Sequence, residues 1–192
     1  MDIWILGEPV KTMKTLITDL PERDDFLQGV KSTEVGYPWL TPGAIMALEL
    51  ILTSEFNVLE LGTGGSTIFW AKRCKTVKSL ETEFEWVREL ESYLPKLPNV
   101  VLVYGEMVDL LETIKYEPEE YYDLILVDSD PVSTDRLVMA NVVVPKLKRG
   151  GWLVIDNYNE WGMEKFMYSD WLVYTFDDFG WAGFGTRICQ KK

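Results

Sequence analysis

The 192-residue chain contains no histidine. That absence removes every mechanism needing an imidazole base, a Ser-His or Cys-His pair, or a histidine-ligated zinc. Cysteine is nearly as scarce: Cys74 and Cys189 lie far apart, in no metal-ligand or redox spacing, and are expected to be free thiols in a reducing compartment. No apolar run approaches the ~20 residues of a membrane span. The opening MDIWILGEPVK lacks the basic region and apolar core of a signal peptide. A cytoplasmic location with no membrane contact is the expectation. Positive charge is short as well, with 19 Lys and Arg against 31 Asp and Glu, a net charge of −12, and no basic cluster that could track phosphates. Nucleic acid is therefore disfavoured as a partner, and a small molecule is favoured.

What is present is an ordinary globular composition, 47% hydrophobic and 26% charged, at a length suited to one well-buried domain. A single domain over 1–192 is expected, with 1–40 as a helical N-terminal cap region and 41–192 as the core. Short helices are expected around 9–20 and 22–30. Thr41 as cap and Pro42 in the first turn should then start a helix continued by Ile45, Leu48 and Leu52. Beyond it, strand-like runs at 57–61, 76–81, 100–104, 122–128 and 151–156 alternate with helix-patterned segments, among them EFEWVRELESYL with Phe84, Val87, Leu90 and Leu94 on one face. Such alternation predicts an α/β fold, a doubly wound and mostly parallel sheet with helices on both faces. WLVYTFDD and FGTRICQKK are separated only by FGWAG, too short for a helical crossover, so they should close the seven-stranded sheet as a C-terminal antiparallel β-hairpin.

The stretch VLELGTGGST, at 58–67, is a glycine turn between a strand and a helix, a place where bare backbone approaches a ligand. A dinucleotide fingerprint would put a third small residue where Thr67 stands. Glu60, two residues before Gly62, would repel a pyrophosphate and attract an ammonium or sulfonium, unless it is a solvated strand-end charge. About twenty residues on, TVKSLE ends in Glu81, placed to accept hydrogen bonds from two ribose hydroxyls.

From about 36 to 190 the sequence resembles the class I S-adenosylmethionine-dependent methyltransferases, whose fold is Rossmann-like. ELGTGGST is similar to their first motif, KSLE to the second, YGEMVDLL to the third, YDLILVDSD to the fourth, and LKRGGWLVIDN to the lead into the fifth strand. The resemblance implies S-adenosylmethionine as cofactor. It implies that Gly62, Thr63, Gly64, Ser66 and Thr67 carry the methionine part, with Glu60 orienting its amino group, directly or through water. It further implies that Glu81 holds the ribose, that Glu106 and Met107 flank the adenine, and that Asp128 lies where methyl and acceptor meet. Glu106 is equally readable as a helix N-cap carboxylate.

Methyl transfer from a sulfonium is an in-line displacement with a good leaving group, so alignment does most of the work and the missing histidine is no obstacle. Metal-dependent O-methyltransferases of the catechol type place an acid after the fourth strand and an Asp-Asn pair after the fifth. Asp128, Asp156 and Asn157 match those positions and would suit Mg²⁺ or Ca²⁺, with Asp128 and Asp156 the catalytic candidates. Pro131 stands where that family has a lysine. Trp39, Trp152, Trp161, Trp171 and Trp181 are core or rim packing by default. Trp39 and Trp161, with Asn157, Tyr158 and Asn159, are the candidates for an acceptor wall. Rival readings on the same scaffold are an aminopropyl transferase, for which the N-terminal region is short, and a non-catalytic adenosyl-nucleotide-binding module. A nicotinamide oxidoreductase is opposed by Glu60, Thr67 and the terminal hairpin. The sequence leaves a homodimer open.

Overall fold

Seven apolar runs pair into one sheet in a computed structural model that describes residues 4–5, 8–9, 30–129, 133–160, 170–177 and 184–192. The strands are β1 (Asn57–Leu61), β2 (Thr76–Glu81), β3 (Val100–Tyr104), β4 (Tyr122–Val127), β5 (Leu147–Asp156), β6 (Leu172–Phe176) and β7 (Thr186–Gln190). Their order is β3-β2-β1-β4-β5-β7-β6. The first five run parallel, and β7 lies antiparallel between β5 and β6. The mostly parallel sheet with its antiparallel hairpin is the fold the alternating pattern predicts. Strand order reverses between β1 and β4, and in sheets of this kind ligands bind in the crevice at the carboxyl ends beside that reversal.

The helices are α1 (Ser32–Val35), α2 (Pro42–Ile51), α3 (Gly65–Ala71), α4 (Phe84–Glu91), α5 (Met107–Tyr116) and α6 (Ser133–Val143). Central strands covered on both faces must be apolar on both. Leu59, Leu61, Ile125, Val127, Leu153 and Ile155 accordingly pack with Leu110 and Ile114 of α5 and Met139 and Val143 of α6. Val58, Leu124, Leu126 and Val154 face the other way, against Leu48 of α2 and Phe69 and Trp70 of α3. Near the start of the chain, Trp4–Ile5 and Glu8–Pro9 form a two-residue antiparallel ladder.

The structure differs from the sequence reading in three places. β5 begins at Leu147 rather than 151, because LKRGG joins the ladder across a register shift opposite Tyr122 and Leu124, with Gly150 at φ +77°. Phe84, expected on a buried helix face, is 52% exposed and rests on Tyr104 at 5.6 Å, because it is the first residue of a helix whose buried leucine is Leu90. Thr41 precedes Pro42 as expected, but its side chain makes no cap bond. Its backbone N–H instead donates to Thr186 Oγ1 of β7, at 3.1 Å. The helices expected at 9–20 and 22–30 lie outside the described residues.

Candidate active site

The glycine turn after β1 is shaped by how closely backbone meets backbone. Gly62 sits at φ +95°, and a Cβ there would come 2.5 Å from the carbonyl oxygen of Asp128 beyond β4. Its N–H donates to Leu80 O of β2 at 2.8 Å, locking the turn to the neighbouring strand. Gly65 opens α3, and a Cβ there would overlap the carbonyl oxygens of Tyr37 and Ser32. Its N–H donates to Ser32 Oγ at 3.1 Å. The second glycine of the GG pair thus lets α3 press against the α1 turn, a role the dinucleotide template hides by looking for its third small residue at 67.

Glu60 is fully buried, with 0% exposure. Strand alternation puts it on the α3 face of the sheet, where Oε1 accepts from Trp70 Nε1 at 2.9 Å. Oε2 accepts from Thr67 Oγ1 at 2.5 Å and from Ser79 Oγ at 2.7 Å. Burial pushes its carboxyl up to about 7, against the opposing pull of the Ser66, Thr67, Ser79 and Trp70 side chains. Thr67 Oγ1 in turn accepts from Gly64 N–H at 3.1 Å, so the acid braces the turn from beneath.

Glu81, at the tip of β2, is held by backbone. Oε2 accepts from Thr63 N–H at 2.6 Å, and Oε1 from the N–H groups of Thr82 and Glu83 at 2.7 and 2.8 Å. Burial raises its carboxyl above the usual range while those three amides pull it down. A carboxylate has about four acceptor positions, so a ligand hydroxyl can still be met.

Above the turn lies a cleft of 280 Å³. Of the sequence-predicted residues, Gly62, Thr63, Gly64, Ser66, Glu81, Asp128, Trp39 and Asn157 line it. Gly65, Ser32, Glu83 and Trp86 line it as well, and the sequence reading assigned none of them a role. Trp86 meets Trp39 edge to face at 5.5 Å. The EFEW segment was a visible signal for it, but a helix reading uses tryptophan as packing. Thr67 and Glu60 lie beneath the cleft rather than along it. Glu106 and Met107 begin α5; Glu106 is exposed and Met107 packs on the core, and neither is among the cleft-lining residues. Gly105 N–H donates to Glu81 O at 3.1 Å, which keeps their segment beside the acid. Tyr158 is buried, donating to Asp177 Oδ1 at 2.8 Å with Arg187 over its ring at 4.1 Å. Asn159 Oδ1 accepts from Gly185 N–H. Trp161, Trp181 and Pro131 lie outside the described residues. A wider hollow of 440 Å³ beside α1 and α4 is lined mainly by charged surface groups including the Lys31–Glu89 pair, away from the glycine turn.

The three residues matched to metal ligands are divided. Asp128 and Asn157 line the cleft, Asn157 in a left-handed conformation at φ +52° with Nδ2 directed to Glu160 at 3.3 Å. Asp156 is buried, and its Oδ1 accepts from Thr186 Oγ1 at 2.8 Å. Among the described residues no group of three or more His, Cys, Asp or Glu could hold a metal ion. Asp128 and Asn157 thus face the cleft, while Asp156 is tied to β7 through Thr186.

A doubly wound sheet of this order, with a glycine turn after the first strand and an acid at the tip of the second, defines the class I methyltransferase fold. A family model described as "Methyltransferase domain" matches residues 59–158, just over half of the chain, and the chain belongs to that family. An O-methyltransferase from Bacillus cereus in complex with SAH superposes with a TM-score of 0.65 at 18% identity, covering 90% of this chain and 93% of that one. TomG, an O-methyltransferase of tomaymycin synthesis from Streptomyces achromogenes in complex with SAM, gives 0.63 at 16% identity, covering 95% and 92%. An rRNA methylase from Streptococcus thermophilus gives 0.59 at 16% identity, covering 75% and 91%. At these identities the likenesses establish the fold and leave the acceptor undetermined. No curated protein matches the sequence. Among the described residues no helix is long and apolar enough to cross a membrane.

Proposed function

We propose that this methyltransferase moves the methyl group of S-adenosylmethionine to a hydroxyl or amine of a small molecule. The observation that carries the reading is one cleft in which the glycine turn and Glu81 stand together, with no Lys or Arg among its described lining residues. Those donors and acceptors fit the cofactor. A Cβ at Gly62 would come 2.5 Å from Asp128 O, so the turn that enters the cleft is bare backbone there, whereas at Gly64 a Cβ would make only ordinary contacts with Ser32 and Trp86. An acidic, cation-free lining suits a ligand with a positive end better than a pyrophosphate.

In this reading Gly62, Thr63, Gly64 and Ser66 carry the methionine part, Thr67 and Glu60 support them from below, and Glu81 holds the ribose through a hydroxyl. Glu106 and Met107, at the start of α5, flank the adenine. When bound, the cofactor supplies a methyl group on a positively charged sulfur, a leaving group that needs no acid. Holding acceptor and methyl in line supplies ~7–11 kcal/mol of the barrier reduction. Asp128 receives the acceptor's proton, and Trp39 and Asn157 wall the acceptor. Asp156 acts at one remove, fixing β7 beside the rim through Thr186. The net charge of −12 favours a small acceptor over a polyanionic one.

Calorimetric titration tests this reading. S-adenosylmethionine and S-adenosylhomocysteine are expected to bind and NADH is not. Glu81→Ala should weaken both adenosyl ligands about tenfold to a hundredfold, the range of one hydrogen bond to a charged group. Equal affinity in wild type and variant would remove Glu81 from the site, and absence of binding would remove the cofactor.

A further inference from the structure

A line of hydrogen bonds runs from the interior of the sheet to the cleft. Glu60 Oε2 lies 2.5 Å from Thr67 Oγ1, which lies 2.8 Å from Thr63 Oγ1, and Thr63 lines the cleft. Each hydroxyl has one proton and two acceptor positions, so the line has two senses. With Glu60 charged, Thr67 donates to Glu60 and Thr63 donates to Thr67, leaving Thr63 an acceptor towards the cleft. With Glu60 protonated on Oε2, Glu60 donates to Thr67 and Thr67 to Thr63, and the Thr63 proton turns outward. Nothing is orphaned in either sense. Gly64 N–H still has Thr67 Oγ1, Ser79 still has Oε2, and Trp70 still has Oε1.

We propose that Glu60 is a positioning residue for cofactor binding, acting through Thr67 to set whether Thr63 offers the cleft a lone pair or a proton. The inference rests on the S-adenosylmethionine reading above. The ammonium of the cofactor's methionine part can only donate. It therefore favours the sense in which Glu60 is charged, and binding expels the Glu60 proton to solvent. Burial holds that carboxyl near 7, which puts both senses within reach around neutrality. Among the described residues no ion pair fixes it. Across β2 and β4 its register partners are Ser79 and Leu126. The charged groups of the packed elements are engaged elsewhere: Lys78 of β2 with Glu117, Asp123 of β4 with Lys148, Arg73 just after α3 with Glu49 of α2, and Glu81 with three backbone amides. Because burial also raises the Glu81 carboxyl, the test must separate the two acids.

The full chain is titrated with S-adenosylhomocysteine from about pH 6 to about pH 8 in buffers of different ionisation enthalpy. Because the folded carboxyl is raised, binding should be tightest above its pKa. It should weaken about tenfold as pH falls to about 6, with about half a proton released on binding near pH 7. Thr63→Val cuts the line at its outer end and should level the profile, Thr63→Ser should restore it, and Glu60→Gln, which keeps the shape without the titrating proton, should also level it. Binding with a flat profile and no proton release in the wild type overturns this inference and leaves the cofactor reading standing. A profile that persists in whichever of Thr63→Val or Glu60→Gln folds assigns the proton to Glu81 and overturns it too. Absence of binding at every pH overturns both.

Discussion

At the amino ends of the strands each principal carboxylate meets a cation, whereas at the carboxyl ends the described partners of Glu60 and Glu81 are hydroxyls, an indole and backbone amides. Below, Glu117 takes Lys78 and the Tyr122 hydroxyl, and Asp123 takes Lys148 at 2.7 Å together with the N–H of Asn57 at 2.9 Å. Buried Lys146 pairs with Glu119 at 2.6 Å and donates to the carbonyls of Lys115 and Glu117. Those charges are closed among themselves. Above, neutral donors fix the position of each acid without cancelling its charge, so the field remains directed at whatever enters the cleft. One end of the sheet closes its charges in ion pairs, and the other holds its acids with neutral donors.

The division can be broken from either end. Gly65→Ala should have the largest effect, because the new methyl meets two backbone carbonyls that cannot rotate away. A loss of about 3 kcal/mol or more is expected, at the upper end of overpacking. Chemical denaturation checks this, and a variant of near wild-type stability would mean that α3 does not need its close approach to α1. Tyr122→Phe removes one donor from Glu117 but leaves Lys78. Burial and the neighbouring Glu117 carboxylate raise the phenol, so it is a donor throughout the ordinary pH range. The variant should lose about 1 kcal/mol of stability with no change in S-adenosylhomocysteine affinity. A weakened affinity would show that the lower network reaches the cleft. Arg149→Ala, at a pair 3.7 Å apart with 81% and 53% exposed partners, should change stability by no more than about 0.5 kcal/mol in the same assay.

The sheet and its terminal hairpin were legible because period and spacing are local. EFEW and GTGGST were also visible as strings. The partners of their side chains were not. Asp156 reads as a ligand at a strand end, yet its oxygen is taken by Thr186, thirty residues on in the chain and directly opposite only because β7 registers against β5 in that frame. Glu60 reads as a charge at a strand tip. Its burial depends on α3 laying Thr67 and Trp70 across that face of the sheet, a packing decision made by Gly65 and its contact with Ser32 and Tyr37. Trp39 reads in the sequence as packing or as an acceptor wall, and it lines the cleft on a segment whose neighbour Thr41 is tethered to β7.

The placement of β7 also bears on the order in which the molecule can assemble. β7 follows β6 in the chain but lies inside it in the sheet, between β6 and β5. During synthesis β6 therefore leaves the ribosome with no edge to join, and the outer edge of β5 stays bare until Thr186–Gln190 has emerged. The same five residues then close the sheet, give β6 its place, and supply through Thr186 the anchor for Thr41. The segment that borders the cleft is thus made early and fastened late, so this rim of the cleft is completed in one step, once β7 has emerged, rather than strand by strand.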